Sequence, residues 1–261
     1  MALVPDLSIV IPAYNEEQRL ERTVRDAVAY FRASGRDFEL IVVDDGSRDG
    51  TSALARQLSD ELPEVHLIRL AANHGKGYAV RTGVVNARGR SVLFADADGA
   101  TPFEEIERLE IALAEGAAVA VGSRALVAQG VRVQAKFYRH VIGRTFHTLV
   151  KLLTVRDVKD TQCGFKLFRA PVAHDLFSRM RMNGFSFDVE LLVMAARRGY
   201  PVAEVPVNWC HQPGSKVNLT VDSVRMAIDL FRIRKHCLSG EYEQPHVARW
   251  QPLREAGPEP R

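Results

Sequence analysis

The sequence predicts a single α/β domain in which helices cover both faces of a mostly parallel β-sheet. Three observations predict it. Short apolar runs of strand length alternate with amphipathic stretches of helix length through the first half of the chain. The links between them are short, as in right-handed crossovers between parallel strands. Polar residues gather where the apolar runs end, which is the edge at which such sheets bind ligands.

Composition places the chain among globular proteins. With 261 residues, 46% of them hydrophobic, it can bury a core, which excludes a disordered or fibrous protein. The net charge of +3 is too small to indicate nucleic-acid binding. The three cysteines are far apart with no CxxC pair, which argues against a zinc knuckle or a disulfide framework and fits a reducing compartment. No apolar stretch reaches the roughly 18 residues of a membrane span and no signal-type segment is present, so we expect at most peripheral contact with a membrane.

In the first half, strands and helices are expected in strict alternation. The first strand begins at Leu7 and ends at Pro12, where a proline stops the ladder. Asn15 is expected to cap a helix whose apolar stripe runs from Leu20 to Phe31. The periodicity predicts further strands at 38–43, 65–70, 91–95 and 117–121, and further helices at 47–62, 76–88 and 103–113.

After Arg124 the pattern changes. Residues 131–156 mix basic and apolar side chains without an acidic one, which suits an interfacial helix on anionic lipid; core packing with a solvated basic face is the alternative. The last helix, with Phe231 among arginines, is expected to extend that surface. We predict strands at 164–168 and 202–207, helices at 188–198 and 224–235, and a domain over 1–238 with a nucleotide-binding half (7–124), an acceptor-binding half (125–238) and a flexible tail (239–261).

Two pairs of carboxylates follow predicted strands. Asp96 and Asp98 are two residues apart in an extended chain, so they point to the same side and can hold one divalent cation. A solvated turn is the alternative. Asp44 and Asp45 follow a neighbouring strand and can accept hydrogen bonds from a base or ribose. Here the alternative is a turn that leads into Gly46.

The segment Asn73–Gly77 superficially resembles a phosphate-binding loop. It lacks the spacing of a Walker motif or of GxGxxG, which disfavours an ATPase or a dehydrogenase. Its glycines permit a helix start whose amides and Lys76 face an anionic ligand. A plain helix cap is the alternative.

Together these motifs resemble the inverting family-2 glycosyltransferases of GT-A fold. Further motifs are similar to the dolichyl-phosphate β-glucosyltransferase branch of that family, and the resemblance extends from about Leu7 to Arg234. The related mannose-transferring synthases usually carry glutamine where this chain has Ala100, which favours glucose. The family motifs are IPAYNEE at 11–17, VDDGSRDGT at 43–51 and DAD at 96–98; those of the branch are DADGAT at 96–101, GSR at 122–124, DTQCGFK at 160–166, FDVE at 187–190, NW at 208–209 and GSK at 214–216.

The resemblance implies a GT-A-type (Rossmann-like) sheet with C-terminal amphipathic helices and a metal-dependent transfer of glucose from UDP-glucose to a polyprenyl (dolichyl) phosphate. Mannose or another hexose, or a soluble hydroxyl acceptor, is the alternative; a nucleotide-sugar-binding protein without catalysis is disfavoured because no motif is broken. The implied residues are Pro12, Tyr14, Glu16, Asp44, Asp45, Lys76, Asp96 and Ser215 for the nucleotide sugar, Asp96 and Asp98 for Mg²⁺ or Mn²⁺, and Arg124, Ser215 and Lys216 near the phosphates.

The resemblance also implies a catalytic role for Asp160, in one of two forms. A phosphate monoester has a second pKa near 6 and is already a nucleophile at pH 7, so Asp160 would only position or desolvate it. In family members that act on hydroxyls, the corresponding residue is a true base. Gln162, Asp188 and Glu190 are further candidates for acceptor or sugar contacts, with helix capping as the alternative for Asp188.

The resemblance also bears on the location of the protein. Eukaryotic relatives carry an N-terminal membrane anchor that this sequence lacks. We therefore expect a cytoplasmic enzyme in peripheral contact with the inner face of the membrane, with a lipid acceptor as partner and no nucleic acid.

Overall fold

The computed structural model describes residues 4–126, 131–134, 158–212 and 219–244. The strands in these ranges are β1 (Leu7–Ala13), β2 (Phe38–Asp44), β3 (Val65–Arg69), β4 (Ser91–Ala95), β5 (Val119–Ser123), β6 (Val133–Gln134), β7 (Phe165–Arg169), β8 (Val202–Pro206) and β9 (Trp209–Cys210). The helices are α1 (Leu20–Ala33), α2 (Thr51–Glu61), α3 (Lys76–Asn86), α4 (Ile106–Ala114), α5 (Ala170–Arg179), α6 (Phe187–Arg197) and α7 (Leu219–Leu238), with 3₁₀ turns at Phe103–Glu105 and Glu241–Glu243.

In the described part of the chain, seven strands form one mixed sheet in the order β3-β2-β1-β4-β7-β5-β8. The pairs among β1 to β4, and the pair of β5 with β8, are parallel, which confirms the mostly parallel prediction. Strand β7 runs antiparallel to both of its neighbours, β4 and β5. Its first residues therefore lie at the same edge as the last residues of the other six strands.

Helices cover both faces of this sheet, as the sequence predicts. Side chains of β1 alternate between two cores: Ile9 and Ile11 pack with the apolar faces of α1, α2 and α4, whereas Val10 packs with α3, α5 and α6. Every residue of β1 and β2 is buried, because both strands are interior to the sheet and covered twice. This burial on both faces explains the long apolar runs in the sequence.

The end of β1 differs from the sequence-based expectation. Pro12 lies inside the strand and does not end it: pairing with β4 stops at Val10, whereas pairing with β2 continues through Pro12 to Ala13. A proline lacks the N–H that a second ladder would need, so it is tolerated where only one neighbour remains. Asn15 does not cap α1. It has a φ of 54°, and its Oδ1 accepts the backbone N–H of Arg48 at 2.9 Å.

Three further expectations are corrected. Helix α2 begins at Thr51 and not at residue 47, because residues 47–50 form a turn around the Asp44 carboxylate. Helix α5 was not anticipated, although Pro171 in its first turn is a typical helix-start signal. The tail expected to be flexible from Ser239 is packed up to residue 244, where the buried Tyr242 lies against α6.

Two membrane-related expectations have different outcomes. The basic segment 131–156 lies outside the described residues except for 131–134. Of the helices that are described, none has both the length and the apolar character that crossing a bilayer requires.

Candidate active site

Asp96 begins the loop after β4, at the edge where β7 enters the sheet. Its backbone N–H donates to the carbonyl of Gly164 at 3.0 Å, which joins the exit of β4 to the entrance of β7. The Asp96 carboxylate lies against Gly164 so closely that a Cβ at residue 164 would be 1.9 Å from Oδ2. The motifs at 96–101 and 160–166, which are far apart in the sequence, are therefore in contact through Asp96 and Gly164.

The second carboxylate of the pair, Asp98, faces the same group of charges. Its Oδ1 accepts the backbone N–H of Ala100 at 3.0 Å. Burial raises the pKa of the Asp98 carboxyl, and the charge of Asp96 raises it further, while Lys76 and Arg19 lower it. Asp96 and Asp98 are therefore close enough for their charges to interact, and their joint binding of a cation stays a prediction.

This carboxylate pair fits a divalent cation. Burial is the largest cause of the raised pKa of Asp98 and repulsion from Asp96 is a smaller one, and a cation between the two carboxylates would offset that repulsion. No group of three histidine, cysteine or acidic side chains among the described residues is arranged to hold a metal. A cation bound by Asp96 and Asp98 would keep its remaining positions for substrate oxygens and water.

Lys76, the first residue of α3, reaches this pair. Its Nζ lies 2.6 Å from Asp96 Oδ1 and 5.3 Å from the centre of the Phe94 ring. Gly75 precedes it at a φ of 103°, and a Cβ there would meet the carbonyl of Asn183 at 2.5 Å. Residue 75 must therefore be a glycine for this loop to pack so closely against Asn183. The predicted helix start that depends on a glycine is present.

A buried ion pair lies behind Asp96. Lys166 Nζ pairs with the carboxylate of Asp188 and donates to the carbonyl of Cys163 at 2.6 Å. Burial raises the pKa of Asp188, and the charges of Lys166 and Lys76 oppose this rise. Asp188 does not cap α6, so the capping alternative is wrong. Lys166 was missed as a site residue, although a lysine inside the apolar strand FKLF is a signal for a buried charge with a partner.

In the half of the chain that is predicted to bind the acceptor, Arg124 forms a bidentate ion pair with Asp160. Nε lies 2.7 Å from Oδ2, the terminal nitrogen 2.8 Å from Oδ1, and the backbone N–H of Arg124 also donates to Oδ2 at 2.9 Å. The Arg124 guanidinium holds the pKa of the Asp160 carboxyl below its usual range, although burial acts in the opposite direction. The same guanidinium lies 5.5 Å from the ring centre of Trp209. Asp160 is therefore ionised and a weak base.

Glu204 of β8 fixes the turn that carries Asp160. Its Oε1 accepts the backbone N–H of Asp160 at 2.8 Å and the hydroxyl of Ser123 at 2.6 Å, and its Oε2 accepts the N–H of Lys159 at 2.9 Å. Sequence reasoning missed Glu204. A glutamate between apolar residues in a predicted strand was the available signal.

The acidic residues after β2 shape the donor side through backbone contacts. Asp44 is buried and accepts the N–H of Ser47 at 3.0 Å and the hydroxyl of Ser52. Asp45 accepts the N–H groups of His74 and Gly75 at 2.8 Å each, so it holds the loop that starts α3. Burial raises the pKa of Asp45, and these two N–H groups lower it. Both carboxylates organise the loops of the site, and their contact with a nucleotide stays a prediction.

The loop after β1 joins the loop after β2. The backbone N–H of Asn15 donates to Ser47 Oγ at 2.9 Å, and that of Glu16 donates to Thr51 Oγ1 at 2.7 Å. The Glu16 carboxylate pairs with Arg19. Pro12 is buried at the end of β1, and Tyr14 is half-buried beside it. The loops that carry Glu16 and Asp44 are therefore joined at the ends of β1 and β2, and the contact of Pro12, Tyr14, Glu16 and Asp44 with a nucleotide stays a prediction.

The sequence matches Glycosyl transferase family 2 over residues 8–177. The chain belongs to this family. Dolichyl-phosphate beta-glucosyltransferase of Drosophila melanogaster is 40% identical over 250 residues, which cover 91% of this chain and 77% of that protein. The proteins of the same name from Homo sapiens, at 40% identity, and Saccharomyces cerevisiae, at 38%, each cover 90% of this chain and 77% and 76% of their own length.

Solved structures confirm the GT-A-type fold of this glycosyltransferase. Glucosyl-3-phosphoglycerate synthase from Mycobacterium tuberculosis in complex with UDP superposes with a TM-score of 0.64 at 19% identity, over 92% of this chain and 81% of that chain. The same enzyme with Mn²⁺ and UDP-glucose gives a TM-score of 0.62 at 19% identity, over 92% of this chain and 80% of that one. At 19% identity, this similarity establishes a shared fold alone.

The remaining predicted site residues of the glycosyltransferase lie in different places. Gln162 faces α7, where its amide nitrogen is 3.8 Å from the sulfur of Met226. Ser215 and Lys216 lie outside the described residues. Glu190 is fully buried, so the expectation that it contacts acceptor or sugar is wrong.

The contacts of Glu190 explain why this glutamate is buried. It accepts the backbone N–H groups of Arg181 and Met182 at 3.0 and 2.9 Å, and the hydroxyl of Tyr242 at 2.8 Å. The loop that it fixes reaches the start of α3, where the N–H of Tyr78 donates to the carbonyl of Asn183 at 3.2 Å. Glu190 therefore stabilises a loop that packs against the start of α3.

Glu190 gives the glycosyltransferase a specific pH dependence of stability. Burial raises its pKa to about 7, although its three hydrogen-bond donors oppose this. Because the folded chain holds this proton more tightly than the unfolded chain, the contribution of Glu190 is complete below the unfolded pKa of 4.5 and is lost as the pH rises through 7. We expect the stability of wild type relative to Glu190→Gln to fall by about 2–3 kcal/mol across this range.

The measurement is chemical denaturation of both proteins at stepped pH. The control is Glu115→Gln, an exposed glutamate after α4. It should follow the wild-type curve. Parallel curves for wild type and Glu190→Gln would contradict the expectation.

Proposed function

We propose that this glycosyltransferase transfers glucose from UDP-glucose to a polyprenyl phosphate, such as dolichyl phosphate, with inversion at the anomeric carbon. The observation that carries the proposal is that two clusters of charged side chains lie at the same edge of the sheet. Asp96, Asp98 and Lys76 lie on the donor side, and Arg124 with Asp160 lies on the acceptor side. The names of the relatives with 38–40% identity supply the substrates.

The donor side has the charges that a nucleoside diphosphate leaving group needs. Asp96 and Asp98 would hold Mg²⁺ or Mn²⁺, which supplies positive charge to the diphosphate oxygens. Lys76 adds an ammonium group at the same place. Stabilisation of the developing charge on the leaving group is the main catalytic need in such a displacement.

The acceptor side fits a phosphate better than a hydroxyl. Arg124 keeps Asp160 ionised and weakly basic, so Asp160 is poorly suited to remove the proton of a sugar hydroxyl at neutral pH. A phosphate monoester is already dianionic and needs only to be positioned. Arg124 provides a planar cation for that purpose, held in place by Asp160. Attack on the face opposite the diphosphate converts an α-linked donor into a β-linked product.

The test is incubation of the protein with UDP-[¹⁴C]glucose, Mg²⁺ and polyprenyl phosphate. We expect a chloroform-soluble labelled product that is lost with EDTA and restored by Mn²⁺. Parallel reactions with GDP-mannose, and with a water-soluble acceptor in place of the lipid, test the alternatives. The absence of lipid label with every nucleotide sugar would refute the proposal.

We further propose that α7 places the enzyme on an anionic membrane surface. One face of α7 is buried in the core through Leu230 and Ile233. The opposite face exposes Ile228 (48%), Phe231 (60%) and Leu238 (79%). Exposed basic side chains flank this apolar face, as in helices that lie in a membrane interface: Arg225, Arg232, Arg234 and Lys235.

The inner side of α7 faces the acceptor side of the site. Met226 contacts Gln162, which is two residues from Asp160. Asp229 accepts the hydroxyl of Ser186 at 2.9 Å, next to Asp188. Helix α7 therefore lies between the proposed membrane surface and the turn that carries Asp160.

The membrane proposal predicts that Phe231→Ser with Leu238→Ser weakens binding to vesicles of phosphatidylcholine and phosphatidylglycerol by about 100-fold or more. The reason is the loss of two apolar side chains, each of which contributes about 1.5–3 kcal/mol when fully buried. Cosedimentation measures it. The matched control is Ile111→Ser on α4, which is 59% exposed on another face. Equal vesicle binding by the double variant and wild type would exclude this surface.

A further inference from the structure

Five charged side chains meet where β4 leaves the sheet. They are three carboxylates, of Asp96, Asp98 and Asp188, and two ammonium groups, of Lys76 and Lys166. The set has one more negative than positive charge when all members are ionised. Each lysine pairs with one carboxylate, and Asp98 is left with the weaker influence of the charges of Lys76 and Arg19.

The two lysines are held differently. The side chain of Lys166 is 1% exposed and bridges Asp188 and the carbonyl of Cys163, so its ammonium group is fixed on two sides. The side chain of Lys76 is 22% exposed, and its direct contact is with Asp96 Oδ1. Lys76 starts α3 at the open end of the site and has a flexible four-carbon stem. Lys76 is thus the lysine that can move.

The Asp96 carboxylate is 33% exposed, and its two oxygens have different surroundings. Oδ2 lies against Gly164, where a Cβ would be 1.9 Å away. Oδ1 is paired with Lys76 at 2.6 Å. A cation shared between Asp96 and Asp98 would therefore compete with the ammonium group of Lys76 for Asp96.

We propose that Lys76 is an internal counter-ion that occupies Asp96 while the donor site is empty and moves to the diphosphate when the donor binds. This inference rests on the proposed donor site and adds an explanation of how the binding of the nucleotide and of the cation are coupled there. Because Lys76 competes for Asp96, the divalent cation binds weakly by itself. A nucleoside diphosphate attracts the ammonium group and thereby exposes Asp96, so nucleotide and cation each increase the affinity for the other.

The experiment measures Mn²⁺ binding through the electron paramagnetic resonance signal of free Mn²⁺, with and without UDP, and needs no turnover. We expect Lys76→Gln to bind Mn²⁺ roughly tenfold more tightly than wild type when UDP is absent. We also expect UDP to increase Mn²⁺ affinity several-fold less in Lys76→Gln than in wild type. Lys76→Arg keeps the competing charge and should behave as wild type.

A matched control separates competition from a general change of charge. Arg19→Gln removes another cation that acts on Asp98 and that is paired with Glu16. It should change Mn²⁺ affinity less than about threefold and preserve the effect of UDP. If Lys76→Gln binds Mn²⁺ no more tightly than wild type, or if Arg19→Gln has the same effect, the counter-ion role is overturned.

The outcomes also distinguish this inference from the proposed function. If wild type fails to bind Mn²⁺ even with UDP, the proposed donor site is wrong and the counter-ion role falls with it. If wild type binds Mn²⁺ with UDP but Lys76→Gln behaves identically, only the counter-ion role fails. A crystal structure with Mn²⁺ and UDP gives a direct check: Lys76 Nζ should contact a phosphate oxygen, and its retention within hydrogen-bond distance of Asp96 would overturn the inference.

Discussion

Asp160→Asn is expected to lower the rate of glucosyl transfer by about 100- to 1,000-fold with little change in the fold. Asparagine has the same size, but it removes the charge that holds Arg124 and turns an amide N–H₂ towards a guanidinium that can only donate. Arg124 then loses the geometry in which it can bind an acceptor phosphate. The effect should appear in kcat and in the KM for the lipid, and much less in the KM for the nucleotide sugar.

Steady-state kinetics with each substrate varied in turn measures the effect, and circular dichroism checks the fold. Asp175→Asn is the matched control. Asp175 pairs with Arg179, the last residue of α5, and with Arg198, the residue after α6, so its loss breaks comparable ion pairs without touching Arg124 or Asp160. A rate within about threefold of wild type for Asp160→Asn would show that the ion pair does not contribute to transfer.

The pH profile separates the two roles considered for Asp160. Arg124 holds the pKa of Asp160 below its ordinary value, so Asp160 stays ionised through the neutral range. A positioning role predicts that wild type and Asp160→Asn have profiles of the same shape above pH 6. A limb of the wild-type profile near neutrality that disappears in Asp160→Asn would instead indicate a true base.

Gly164→Ala is expected to reduce kcat/KM by about 100-fold although residue 164 contributes no side chain to the site. The added Cβ would lie 1.9 Å from Oδ2 and 2.2 Å from Cγ of Asp96, so the carboxylate must move. Movement of a catalytic group by about 1 Å is sufficient for a loss of this size. The same movement breaks the contact of Asp96 with Lys76.

Kinetics and Mn²⁺ binding in the presence of UDP measure this prediction together. Gly184→Ala is the matched control, because a Cβ at residue 184 meets nothing within 4 Å and its φ is not positive. It should keep both the rate and the cation affinity. Normal Mn²⁺ affinity and normal kcat/KM in Gly164→Ala would mean that Asp96 can shift without consequence.

The sequence was sufficient for most of the architecture because periodicity is a local property. Buried strands such as β2 show as continuous apolar runs, and helices such as α1 show as apolar stripes. The direction of β7 could not be predicted in this way, since FKLFR has the same pattern in either orientation. The capping role given to Asn15 failed for a related reason: its side chain bonds to Arg48, a partner more than thirty residues away.

The candidate site was predictable where a family motif ends a strand and less so elsewhere. Asp96 and Asp98 lie close enough for their charges to interact, as their spacing indicates, whereas the catalytic role that the resemblance implies for Asp160 stays a prediction. Glu190 was misplaced because its motif, FDVE, contains one residue that faces the site and one that faces the core. The partner that marks Glu190 as structural is Tyr242, which lies 52 residues further along the chain and so could not be read from the motif.

The insertion of β7 between β4 and β5 has a consequence for synthesis on the ribosome. Strand β5 pairs only with β7 and β8 in the described sheet, and both follow it in the chain. The first four strands can therefore associate as the chain emerges, whereas β5 must wait for more than forty further residues before it has a neighbour. During that interval β4 presents an unpaired apolar edge, so nascent-chain proteolysis should find residues 91–123 protected only after residue 169 has left the exit tunnel.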